Sequence, residues 1–100
     1  MSAEPSWEFE ARLWAWREDE PGSWVFLTLP PEVGEDVTDH AGPRRGFGSV
    51  RVLVSIGETS WKTSVFPSKG SYELPVKKAV RAAEGLDAGD LAVVRLRLDR

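Results

Sequence analysis

The chain has 100 residues with a formal charge of −3, 41% hydrophobic and 29% charged residues, and no cysteine. That length makes one small domain, and the missing thiols exclude disulfides, thiolate metal sites and thiol catalysis. No run of apolar residues approaches the ~18 needed to cross a bilayer, and the acidic opening MSAEPSWEFE lacks the apolar stretch of a signal peptide. The expectation is a single cytoplasmic domain over residues 1–100, with residues 1–6 flexible.

The charge is unevenly placed. Residues 1–42 sum to −8 and residues 43–100 to +5. The net acidity argues against sequence-independent binding to nucleic acid, whereas the basic second half either binds a small anion or pairs with the acidic first half.

Residues 7–16, WEFEARLWAW, alternate, with Trp7, Phe9, Ala11, Leu13 and Ala15 on one face and Glu8, Glu10, Arg12, Trp14 and Trp16 on the other. That period of two predicts a strand packed on one side. Pro21-Gly22 marks a turn. WVFLTL (24–29) is apolar on both faces, which predicts a strand covered on both sides and places Trp24 among the core candidates. Pro31 suits the first position of a short helical turn in PEVGEDVTDH, although Gly34 and two valines work against helix there.

AGPRRG (41–46) reads as a loop, and Gly46-Phe47-Gly48 as relief of crowding where a strand begins. FGSVRVLVSI (47–56) alternates, with Val50, Val52, Val54 and Ile56 together. Gly57-Glu58 fits a glycine-first hairpin turn, and residues 58–66 return with Trp61, Thr63 and Val65 on one face. Pro67 to Gly70 turns the chain into the short strand SYEL. VKKAVRAAEGL is the one clear helix, bracketed by Pro75 and Gly85, with Val80 inward and Arg81 at the rim. LAVVRLRL (91–98) closes the chain as a strand with Ala92, Val94, Leu96 and Leu98 inward.

These elements predict a mainly β fold, a small closed β-barrel of about six strands with one or two short helices. Closure is expected because an open sheet of this size exposes long edges. Leu29-Pro30 and Leu74-Pro75 stand 45 residues apart, and each precedes an alternating strand. If this reflects duplication, the barrel is pseudo-two-fold, of the double-psi or swapped-hairpin kind; coincidence is the alternative.

LPVKKAVRAAEGLDAGD and the strand after it resemble the swapped-hairpin unit of AbrB-type transition regulators. WEFEARLW, SWVFLTLPPEV and the stretch from Gly46 to Asp99 resemble the bacterial family called Domain of Unknown Function nineteen-oh-five. That resemblance spans residues 7–99. It implies a small β-barrel and supplies no catalytic residue; some members carry a second module associated with bacteriocin protection, which this chain is expected to lack.

The residues themselves point to binding rather than catalysis. His40 is the only histidine, and with Asp36 and Asp39 nearby it makes a poor metal set. No Gly-x-Ser-x-Gly elbow or phosphate loop occurs. The sharpest feature is basic: Lys62, Lys69, Lys77, Lys78 and Arg81 face a single acid, Glu73, within twenty residues. Lys69, Lys77, Lys78 and Arg81, with Ser64 as a hydroxyl donor, form the candidate anion or ligand site, helped by the free N–H groups at a helix start. Trp14 and Trp16 form a candidate contact surface unless a helix or a second copy covers them. The expectation is therefore a non-enzymatic module with no cofactor and no metal, monomeric or homodimeric, whose partner is a small anionic ligand or a protein. A dimeric AbrB-like DNA-binding or protein-interaction module is the alternative.

Overall fold

The computed structural model describes residues 5–17, 24–41 and 48–99. The turn at Pro21-Gly22 and most of the AGPRRG loop lie outside them, and so do residues 1–4 of the expected flexible start. The elements in chain order are β1 (Ser6–Arg12), β2 (Trp14–Ala15), β3 (Val25–Thr28), α1 (Pro31–Ala41), β4 (Val50–Ile56), β5 (Thr59–Ser68), β6 (Ser71–Pro75), α2 (Lys78–Glu84) and β7 (Leu91–Leu98). The strands form an antiparallel sheet in the order β1-β7-β4-β5-β6-β3-β2.

The fold is mainly β, as expected, but the sheet is a seven-stranded half-barrel and not a closed barrel of six. The reason lies at Leu13. β1 and β2 are successive pieces of the first alternating segment, so the two ends of the strand order are joined end to end and do not pair side by side. β1 pairs with β7 along Ser6–Arg12, while β2 pairs with β3. Leu13 between them is buried; its N–H donates to the Asp90 carbonyl at 2.9 Å and its own carbonyl accepts from the Gly89 N–H at 2.8 Å. β5 is the other shared strand. Residues 59–65 pair with β4, and Phe66–Ser68 pair with β6.

Alternation decides which residues fill the concave side. Phe9, Ala11, Val52, Val54, Trp61, Val65, Val94 and Leu96 are all buried there, and Trp7 packs against them half-buried. Gly57 has φ 58° while Glu58 keeps a negative φ, so the β4–β5 turn is the glycine-first type. At the β5–β6 turn both Lys69 (φ 48°) and Gly70 (φ 84°) are left-handed, the geometry of a type I′ hairpin.

The helices differ from expectation. α1 spans eleven residues and is the longer, whereas α2 spans seven and begins at Lys78, not Val76. Glycine was counted against α1 on intrinsic propensity, yet Gly34 is buried against β6, where a Cβ would lie 3.3 Å from the Ser71 Cα. Close packing requires the residue that propensity disfavours.

β3 leads through α1 to β4, and β6 leads through α2 to β7. β3 pairs with β6 and β4 with β7. Thr28 sits opposite Glu73, 45 residues on, the same separation as the two Leu-Pro pairs.

Candidate functional site

β6 delivers the chain to α2 beside the start of β3. Pro75 lies opposite Phe26, and the Val76 N–H donates to the Val25 carbonyl at 2.9 Å. Val76 and Val80 are buried, which seats the short helix on the core by one face. Lys77 takes an extended conformation at the helix start, with no side-chain cap, and no acid stands in the first turn. Lys77 and Lys78 are therefore exposed, and Arg81, one turn on, is half-buried with its Nε donating to the Val76 carbonyl at 3.1 Å.

These three cations rim a cavity of 230 Å³ whose apolar floor and wall come from Trp24, Val25, Pro75 and Val76. Among the described residues, Lys77, Lys78 and Arg81 make no ion pair. The described carboxylates that do pair lie elsewhere: Asp99 with Arg51 (3.8 Å) and Lys62 (3.9 Å), and Glu8 with Arg95 (3.3 Å). Like charges gathered without an ion-pair partner among the described residues raise the local positive potential, and the low-dielectric floor keeps it from being screened on one side. Among the described residues the lining holds no hydroxyl, imidazole or carboxylate. It offers charge and apolar surface.

The expected site is thus divided. Lys77, Lys78 and Arg81 share the cavity. Lys69 stands at the β5–β6 turn, beyond the other end of β6, six residues before the cavity residue Pro75 and so roughly 20 Å from it at ~3.3 Å per residue. There it lines two more polar hollows of 390 and 380 Å³ with Ser68 and Ser71. Ser64 lies on β5 opposite Arg51 and lines none of these cavities. Sequence proximity grouped residues that the extended strand separates.

The aromatic surface is also rearranged. Trp14 is half-buried, its ring 5.3 Å from that of Phe26 and its Nε1–H donating to Thr28 Oγ1 at 3.1 Å. Trp16 is 59% exposed, with the Arg17 guanidinium 4.6 Å over its ring. Trp24 is not core; it is 65% exposed, and its ring stacks with Phe26 at 6.1 Å and 16° between planes. Trp24 is the site residue that sequence reasoning missed. The signal was present, because Trp24, Phe26 and Thr28 alternate with Val25, Leu27 and Leu29, which are the buried set.

His40 lies in the last turn of α1, with Nδ1 2.8 Å from the Asp36 carbonyl and its ring edge-on to Trp7 at 5.8 Å. Among the described residues no three His, Asp or Glu side chains gather into a set able to hold a metal ion. Nor is any helix among them long and apolar enough to cross a membrane.

No curated protein matches the chain. A family model does match over residues 9–96, nearly the whole length, and the chain belongs to the family described as Domain of unknown function (DUF1905).

Proposed function

We propose that this protein is a non-catalytic cytoplasmic binding module that holds a small anion in the cavity between β3, β6 and α2. The observation that carries the reading is the convergence of Lys77, Lys78 and Arg81 on an apolar cavity walled by Trp24, without an ion-pair partner among the described residues. Side-chain charge does the work; α2 has only seven residues, so its dipole adds little. Lys69 and Ser64 fall outside this reading.

The test is thermal unfolding in phosphate or sulfate, comparing the wild type with Lys77→Gln/Arg81→Gln. A specific anion raises the wild-type midpoint beyond general salting effects and leaves the double variant unmoved. Equal responses in both proteins refute the site.

The pairing of β3 with β6 and β4 with β7 supports the further reading that two β-α-β units are related by a pseudo-two-fold axis near Thr28 and Glu73. A dimeric interaction or DNA-binding module is the second functional reading, supported by the exposed rings of Trp16 and Phe66. Native mass and a salt-dependent shift assay distinguish it from a monomeric anion binder.

A further inference from the structure

Resting on the anion site proposed above, we infer that the cavity takes a planar ring joined to a phosphate, a mononucleotide-like ligand, with the ring on Trp24 and the phosphate among Lys77, Lys78 and Arg81. Trp24 belongs to two features at once. It walls the cavity, and it ends the row of rings Trp14, Phe26, Trp24 that runs across β2 and β3. Phe26 lies against its indole, so the aromatic surface is held in place before any ligand arrives, which lowers the ordering cost of binding. A flat, preorganised, exposed indole favours a ring by stacking over a flexible alkyl chain.

The charged end selects the anion. Arg81 commits its Nε to the Val76 carbonyl, and that bond fixes the guanidinium with its terminal N–H groups still to be used. A guanidinium fork with two ammonium groups beside it suits the three oxygens and double charge of a phosphate better than a singly charged carboxylate. At 230 Å³ the cavity is smaller than the ~300–1,000 Å³ of pockets for drug-sized ligands, so it fits one ring and one charged group. The net charge of −3 opposes a long polyanion, which separates a mononucleotide from a nucleic-acid strand.

The experiment is calorimetric titration of the full chain with inorganic phosphate, ribose phosphate, adenosine monophosphate and a single-stranded oligonucleotide. Wild type is compared with Trp24→Leu, Trp16→Leu and Lys77→Gln/Arg81→Gln, each checked for folding by circular dichroism. Adenosine monophosphate is expected to bind on the order of tenfold or more tightly than ribose phosphate. Trp24→Leu should abolish that ratio, Trp16→Leu should preserve it, and the double variant should lose both ligands. Equal affinities for the two phosphates, both lost in the double variant, overturn the ring inference and leave the anion site standing. An oligonucleotide bound far more tightly than the mononucleotide overturns it in favour of a strand-binding surface. Absence of binding by every probe removes both the inference and the anion site.

Discussion

Gly34 of α1 lies directly against Ser71 of β6, so close that a Cβ on the glycine would collide with the Ser71 hydroxyl and stand 3.2 Å from the Ser71 Cβ. That hydroxyl is already committed, donating to the Leu29 carbonyl at 2.8 Å inside the core. The contact fixes the longer helix on the strand that leads to the cavity.

Gly34→Ala should therefore destabilise the protein by about 1–3 kcal/mol through overpacking, despite the better helix propensity of alanine. Ser71→Ala alone should cost about 1 kcal/mol, with the Leu29 carbonyl losing its donor. Combined, the two should cost less than their sum, because removing the hydroxyl makes room for the new methyl. Urea denaturation of the four proteins measures this; strict additivity would contradict the contact.

Val80 and Arg81 are neighbours on α2 with opposite fates. Val80 is 2% exposed, and Val80→Asp should cost several kcal/mol by forcing a carboxylate into the core. Arg81→Ala should cost about 1 kcal/mol, for one hydrogen bond to the Val76 carbonyl and the packing of its stem. If Arg81→Ala unfolds the protein while Val80→Asp is tolerated, the helix is rotated on the sheet.

Trp61 and Trp16 separate the structural indoles from the surface ones. Trp61→Ala should cost about 3–5 kcal/mol, because the ring is buried opposite Val54 in the core. Trp16→Ala should change stability by no more than about 0.5 kcal/mol, since the ring is largely exposed. Chemical denaturation followed by far-UV circular dichroism gives both values.

Gly57 meets Glu84 where the β4–β5 turn approaches the end of α2. A Cβ there would run into the Glu84 carboxylate, which accepts from Thr59 Oγ1 at 2.6 Å. Gly57→Ala should cost about 1–2 kcal/mol, from a left-handed φ and displacement of that carboxylate. Glu84→Ala should relieve the collision and reduce the further loss caused by Gly57→Ala. An unchanged effect in that background would show that backbone strain alone is responsible.

The strands were legible because alternation is a local property. Val50 to Ile56 and Ala92 to Leu98 have period two, and a half-buried strand is the only regular element that sorts such a pattern into one wet and one dry face. The hairpin at Gly57-Glu58 was legible for the same reason, since its φ values depend on the residues in the turn. Closure was not local. Whether the two ends of the sheet pair or merely meet depends on the break at Leu13, held by Gly89 and Asp90 far along the chain. Helix α1 needed the tertiary structure too, because Gly34 is unfavourable by propensity and becomes required only once Ser71 packs against it. At the site, charge composition marked Lys77, Lys78 and Arg81, and helical spacing placed them near one another. Only the pairing of β3 with β6 brought Trp24 to their side and left Lys69 at the far end of the strand. Sequence by itself determined which residues are charged and, along β4 and β7, which face is buried; the strand pairing, a long-range arrangement, left Trp24 exposed and decided which residues share a cavity.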